Sequence, residues 1–301
     1  MEHFGQDACV FDYGSGNPDT SDLVQALVYG QQDLFALERK LSRSGARFFG
    51  GHVLAKRYAP LFASRQMTTF VRHPRDQFIS HFQHKVRHHG YQGDMSSLLE
   101  SAAGPALQSG MLSAVPIEAM GFVGVTERYE ESLRVFNTLY AIDMPSMNLN
   151  CNPERPQGGG YVLPEACQKP FDRLARVDLA LHEQANRLLD RHLEALSAGY
   201  AFVHGAVNTL SALSLDGFAF YRESVRPVQV QLLVNGNPQA TMAATHDRPA
   251  LRALNVPRNG FVGFHFQLKG ALKEGDHVLV RVRDTGQVLG ERVFASAPSA
   301  G

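Results

Sequence analysis

The strongest constraint on the fold is a change of hydrophobic period about two-thirds of the way along the 301-residue chain. Upstream, short apolar runs alternate with stretches whose apolar residues recur every three or four positions, the pattern of strands alternating with helices in a parallel α/β layer. From about Leu215 the runs VQVQLLV (Val228 to Val234), FVGFHFQL (Phe261 to Leu268) and HVLVRVR (His277 to Arg283) repeat every second residue, as half-buried strands do. Asn235-Gly236 follows the first run and Glu274-Gly275-Asp276 precedes the last. Asn-Gly is a strong hairpin signal because both residues tolerate positive φ. The chain therefore reads as an α/β domain over residues 1–210 and an antiparallel β-sandwich over 215–301.

Within the first part, Cys9 to Phe11 reads as a short strand, 23–43 as a helix, and RFFGGHVLA (Arg47 to Ala55) as a strand with a double-glycine turn. Met67 to Val71 is a second β-branched and aromatic run, and both runs suit buried parallel strands. Phe78, Ile79, Phe82 and Val86 form one stripe, which predicts a helix over Asp76 to Arg87. FVGVTE predicts a strand ending at Thr126, with Thr126 as the N-cap of a helix reaching Tyr140. Residues 145–164 hold three asparagines, four prolines and three consecutive glycines, a loop or flap composition. A long helical stretch follows from Glu165 to Leu196, its stripe of Leu181, Ala185, Leu188, His192 and Leu196 expected to dock on the sheet.

Lysines and arginines (29) balance aspartates and glutamates (29), so no global field draws in nucleic acid, while a local basic pocket for a phosphorylated ligand stays open. Cys9, Cys151 and Cys167 show neither a CxxC pair nor metal-ligand spacing; a reducing compartment and no metal are the expectation. The first residues lack a signal-peptide pattern and no run near 20 apolar residues occurs, so no membrane span and a cytoplasmic location are expected.

The segment TTFVRHPRDQFISHFQH (Thr68 to His84) carries the most chemistry. Arg72 falls at the carboxyl end of a predicted strand and Ser80 in the helix after it, the end where parallel sheets bind ligands. An arginine and a serine hydroxyl there can share one phosphate; a purely structural turn into the helix is the alternative. RHPRDQFISHF resembles the 3′-phosphate-binding segment of sulfotransferases that use 3′-phosphoadenosine 5′-phosphosulfate, with Arg72, Pro74, Ser80 and Phe82 matching. GGHV (Gly50 to Val53) and GFVGVTERYEESLRVF (Gly121 to Phe136) occur in the order that this family requires. They resemble the branch that sulfates uronic acids and related sugars, and the resemblance spans roughly residues 3 to 200.

The resemblance implies a P-loop-type parallel sheet with flanking helices and, as activity, transfer of a sulfuryl group to the hydroxyl of a glycan or other acceptor. His52 would be the general base, Arg72 and Ser80 would hold the donor's 3′-phosphate, and Arg155, Gly159 and Tyr161 would lie in a loop over the nucleotide, a position equally suited to a surface linker. The sequence departs from the family in two places. Gln77 stands where a second arginine is common, leaving Arg75 to compensate. A Pro-Lys-x-Gly-type loop for the 5′-phosphosulfate is missing: Gly14-Ser15-Gly16 carries no lysine and reads as a loop. MEHFGQDACVFDYG resembles the stretch that follows that loop's helix, so the expected start lies further upstream, unless another chain supplies the strand or the chain is a non-catalytic scaffold that binds nucleotide or glycan. A nucleotide triphosphatase would need the same lysine loop. The last third resembles a β-sandwich module of bacterial glycan-modifying proteins, with Asp247 and Arg248 as turn residues; carbohydrate binding and homo-oligomer contact both stay open for it.

Overall fold

The computed structural model describes residues 4–101, 107–146 and 162–295. The chain begins with β1 (Cys9–Asp12), α1 (Asp22–Val24) running into a wider π turn (Gln25–Gly30), α2 (Leu34–Ser44) and β2 (Phe48–Gly51). The helix expected over 23–43 is thus broken. Gln32 takes a positive φ of 55°, and the Asp33 carboxylate accepts the Ala36 N–H at 2.8 Å, which caps a new helix. β1 and β2 pair in parallel, Cys9 opposite Phe48 and Asp12 opposite Gly51.

The next unit is α3 (Ala55–Tyr58), β3 (Thr68–Val71), α4 (Pro74–His89), α5 (Met95–Glu100), α6 (Leu107–Met111), β4 (Phe122–Val125) and α7 (Tyr129–Tyr140). β3 and β4 pair in parallel, Thr68 opposite Phe122. Thr126 does not cap α7. Its hydroxyl instead donates to the Val71 carbonyl at 3.0 Å, extending the β3–β4 ladder by one rung. Ser132 clamps the end of β4: its Oγ accepts from Val125 N at 2.9 Å and donates to Val125 O at 3.2 Å.

The four parallel strands form two separate two-stranded sheets. β4 is buried along its length, whereas β2 and β3 were expected to be buried and are not. Phe48 and Phe70 remain 38% and 40% exposed. The outer edge of β1 is satisfied differently: Phe11 O accepts from Ser21 N, and Phe11 N donates to the Ser21 hydroxyl.

The long helical stretch is two helices, α8 (Glu165–Leu174) and α9 (Arg176–Ala198), meeting at Ala175. The stripe on α9 docks as expected: Ala185, Leu188 and His192 are buried, with Leu181 and Leu196 packed against the same core as Phe122 and Val125. On α4, by contrast, Val86 is 43% exposed. The helix outruns the core formed by Phe78, Ile79, Leu98, Leu99 and Phe171.

The last third is an antiparallel sandwich built from β5 (Val203–Leu210), β6 (Ser214–Tyr221), β7 (Gln229–Val234), β8 (Asn237–Ala243), β9 (His246–Asp247), the short α10 (Pro249–Arg252), β10 (Phe261–Gln267), β11 (His277–Val282) and β12 (Val288–Val293). One sheet runs β5-β6-β10-β9 and the other β12-β11-β7-β8. Its first strand therefore starts at Val203, upstream of the expected change at Leu215. Asn235 and Gly236 take φ of 50° and 77° and close the β7–β8 hairpin between Val234 and Asn237, the geometry this dipeptide favours.

The middle of the first sheet is covered on both faces, while β9 and, on β10, Phe261, His265 and Gln267 stay exposed. Phe218, Phe220 and Val262 face β4 and α9, and Leu215, Ala219 and Phe264 face the second sheet. Two histidines are sealed at the α9 side. His192 stacks on Phe202 with ring centres 3.5 Å apart, and His204 stacks on Phe220 at 5.2 Å. The His204 Nδ1 lies 3.2 Å from the Glu118 carbonyl. Burial pushes the pKa of His192 well down, and lowers that of His204 to about 4.

Because the unfolded chain takes these protons near pH 6.5 and the folded chain resists them, stability present above that pH is lost as the pH falls. His204 alone accounts for roughly 3 kcal/mol between pH 6.5 and 4. Urea unfolding of His204→Phe should show a correspondingly shallower fall over that range than the parent; parallel pH profiles would refute the assignment.

A second buried group ties down the amino-terminal unit. Asp12 is 1% exposed and accepts the hydroxyls of Tyr58 (2.5 Å) and Tyr29 (2.8 Å). The Arg57 guanidinium lies 3.8 Å from its second oxygen. Burial and the adjacent carboxylate raise the pKa of both phenols, that of Tyr58 strongly. Asp12→Ala removes the acceptor of both tyrosine hydroxyls, leaving Tyr29 only its bond from Arg57, and should lower stability by roughly 2 kcal/mol in denaturant titration.

Candidate functional site

The carboxyl ends of the four parallel strands gather the polar side chains. At the end of β2, Gly51 adopts a φ of +149°, and a Cβ there would lie 1.9 Å from the Asp12 carbonyl oxygen. The second glycine of GGHV is therefore obligatory: it lets β2 close onto β1 and turns the next residue outward. His52 donates its backbone N–H to Asp12 O at 3.0 Å. Its imidazole is exposed, edge-on to Tyr13 with ring centres 5.3 Å apart, and neither ring nitrogen has a hydrogen-bond partner among the described residues. A solvent-facing imidazole of this kind can accept a proton from a bound hydroxyl.

At the end of β3 the Arg72 backbone is clasped by one side chain. Gln108 Oε1 accepts from Arg72 N, and Gln108 Nε2 donates to Arg72 O, both at 2.8 Å. A primary amide thus imitates the rung of a neighbouring strand. Gln108 is itself held by the fully buried Asp178, whose carboxylate accepts the backbone N–H groups of Gln108 and Ser109 at 2.9 Å each.

The turn into α4 is capped by His73, whose Nδ1 accepts from Arg75 N at 3.3 Å. Ser80 follows on the second turn, half-buried beside the buried Phe78 and Ile79, with no hydrogen-bond partner for its hydroxyl among the described residues. On the same turns Gln77 Oε1 and His81 Nε2 are buried and unpartnered. Arg75, expected to compensate for Gln77, has its Nε 3.6 Å from the Asp76 carboxylate, which offsets its charge locally.

At the end of β4, Glu127 bridges two elements. One oxygen accepts the His73 backbone N–H at 2.8 Å, and the other lies 3.1 Å from His182 Nε2 on α9. The His73 and His182 rings meet edge-to-face at 5.2 Å. Burial opposes ionisation of Glu127, but the bonds from His182 and His73 outweigh it and hold the carboxyl below its ordinary value. Burial and the neighbouring His182 depress the pKa of His73.

Of the residues expected at the site, Arg72 and Ser80 occupy the β3–α4 junction, and His52 ends a different strand pair. Arg155, Gly159 and Tyr161 lie outside the described residues. The loop Gly14–Gly16 follows β1 and folds back onto its own neighbours: Gly14 O accepts from the Thr20 hydroxyl at 2.9 Å, and Gly16 N donates to the Gln25 amide at 3.1 Å. Asp247 and Arg248 serve the sandwich. The Arg248 guanidinium spans from Asp216 (2.6 Å) to the carbonyls of Gly217 and Phe264. Cys167 is a buried thiol 3.2 Å from the Ser96 hydroxyl.

The sequence left Gln108, Asp178 and His182 without a role. Their partners lie 36, 70 and 55 residues away, and no spacing rule reaches that far. Glu127 stood in a quoted motif, yet its use as a bridge follows only from the meeting of α9 with β4.

Among the described residues, no group of three or more His, Cys, Asp or Glu is placed to hold a metal, and no helix is long and apolar enough to cross a membrane. No family model matches the chain, and neither the curated proteins nor the solved structures yield a match.

The Glu127 bridge makes a specific prediction. His182→Ala removes the side-chain donor and should raise the Glu127 pKa in a carbon-detected NMR titration. Since a carboxylate with a depressed pKa contributes stability above its unfolded value and loses it as pH falls, the variant should also lose less stability below about pH 4.3. An unchanged Glu127 titration would remove His182 from the bridge.

Proposed function

We propose that the chain belongs functionally with sulfotransferases that take the sulfuryl group from 3′-phosphoadenosine 5′-phosphosulfate and place it on a glycan hydroxyl. The observation that carries this reading is the β3–α4 junction: an arginine at a strand's carboxyl end, with its backbone clasped, is followed by a helix presenting an unpartnered serine hydroxyl. In this reading Arg72 and Ser80 receive the 3′-phosphate, the guanidinium supplying charge-assisted donors and the serine one short bond. His52 takes the proton from the acceptor hydroxyl as its oxygen attacks sulfur, the sulfur–oxygen bond to the phosphate breaks, and adenosine 3′,5′-bisphosphate leaves.

A second reading is favoured by a specific observation. The parallel strands stand as two pairs, with unpaired edges on β2 and β3, and the Gly14–Gly16 loop offers no lysine to a phosphosulfate. A scaffold that binds the nucleotide or a glycan without transferring sulfate would not need that loop, and the nucleotide-binding form would still need the Arg72 anchor.

Calorimetric titration with adenosine 3′,5′-bisphosphate tests the shared part. Binding by the parent, weakened at least about tenfold in Arg72→Ala, is the expected result. Absence of binding by the folded parent, or equal binding by the variant, would defeat the transfer reading and the nucleotide-binding form of the scaffold, leaving the glycan-binding form. Given binding, sulfate transfer to a glycan mixture that is lost in His52→Ala selects the enzyme, and its absence selects the scaffold.

A further inference from the structure

A cleft of about 470 Å³ lies at the seam where α9 crosses the β5 and β12 edges of the sandwich. None of its lining residues belongs to the β3–α4 junction, the Glu127 bridge or the His52 turn. Its floor is aliphatic, with Leu188 from α9, Val207 from β5 and Leu289 from β12. Gly290 opens it: a Cβ at that position would press to 2.6 Å from the Val207 side chain.

Three arginines, Arg187, Arg191 and Arg292, line this floor together with two carboxylates, Glu118 and Glu291. The carboxylates already have partners. Glu118 accepts from the Gln184 side-chain amide, and Glu291 lies 2.6 Å from His277 Nε2. Arg292 donates to the Val207 carbonyl at 3.0 Å, and Arg187 is 3.8 Å from Glu183 on the exposed face of α9.

Arg191 differs from both. It is half-buried, and among the described residues its guanidinium has neither a hydrogen-bond acceptor nor a carboxylate within ion-pair distance. Burial depresses its pKa despite the pull of Glu118, Glu194 and Glu291. No nitrogen of Arg191 is sealed from solvent, so its N–H donors stand open to an incoming group, and a planar guanidinium matches an oxyanion in bidentate fashion.

We propose that this cleft binds a small organic monoanion, a carboxylate or sulfate ester, with its oxyanion on Arg191 and its apolar skeleton on the Leu188–Leu289 floor. The side-chain charges of the lining, three positive and two negative, leave one positive charge, which a monoanion neutralises. The volume suits a ligand of one ring, since binding pockets for small molecules start at about 300 Å³. The site is independent of the transfer reading, because none of its residues takes part in that chemistry.

The test is calorimetric titration of the full chain with benzoate, phenyl sulfate and, as the neutral probe, benzyl alcohol. Saturable binding of at least one anion, with benzyl alcohol at least about tenfold weaker, is expected. Arg191→Gln should weaken the anion by about tenfold or more, and Arg191→Lys, which keeps the charge but loses the fork, by less. If Arg191→Gln does not fold, Arg187→Gln on the exposed rim should still weaken binding by a few-fold, roughly the effect of a rim charge. Benzyl alcohol binding as well as both anions, no binding at all, or anion binding unchanged in the folded variants would overturn the proposal. Which of the two anions binds more tightly assigns the oxyanion as carboxylate or sulfate.

Discussion

The middle of the sheet β5-β6-β10-β9 is packed on both faces, and the rest of the structure is arranged around that fact. A sheet covered on both sides must find two partners. The sequence supplies one from within the sandwich and the other from the α/β part, through α9 and β4. Docking α9 this way fixes more than a core. His192 and Asp178 sit on that helix, so the stacked histidines at the seam and the Gln108 clasp at β3 both inherit their positions from it. The cleft with Arg191 lies along the same helix, where the aliphatic contact gives way to solvent.

The two parallel pairs meet a harder constraint. Parallel strands normally lie inside larger sheets, and a pair of strands alone is marginal. Each pair here carries a polar device in place of a third strand. In the first, the Asp12 network ties β1 to α3 through Tyr58 and to the π turn through Tyr29. In the second, the Gln108 amide occupies the rung beside Arg72, and Asp178 holds the amide in place. Such devices satisfy particular backbone groups without extending the sheet, and Phe48 of β2 and Phe70 of β3 stay partly in solvent.

Local periodicity carried most of the secondary structure. Strands with one wet face, such as β7 and β11, announce themselves by alternation, and their burial alternates accordingly. β6 does not, since Gly217 to Tyr221 is buried without interruption and an element hidden on both faces has no reason to alternate. For the same reason the sandwich starts at Val203, before any period-2 signal. The helix expected over 23–43 failed for a different reason: apolar spacing continues through a break that only the Gln32 conformation and the Asp33 cap reveal. Residues whose purpose is a close approach were legible as motifs, and their physical reason is geometric. Gly51 is required because Asp12 leaves no room for a Cβ.

The site shows where sequence reading stops. Arg72, Ser80 and His52 were singled out because the strand ends before them were legible and the resemblance marked their positions. Glu127 joined to His73 and His182 was not, because α9 returns to the ends of β3 and β4 only after the chain has folded. The consequence for chemistry is a division of labour between the two strand pairs. The prospective phosphate anchor belongs to the β3–β4 pair, which is built into the sandwich core through Val71, Phe122 and Val125. The prospective base belongs to the β1–β2 pair, which has its own core of Val10, Val24, Leu37 and Tyr58. Proton abstraction requires the base within hydrogen-bond reach of a hydroxyl positioned by the donor. Sulfuryl transfer, on the reading proposed above, would depend on how firmly those two cores are held together, and α3, which carries Tyr58 into one core and leads directly to Ala59 in the other, is the covalent joint between them.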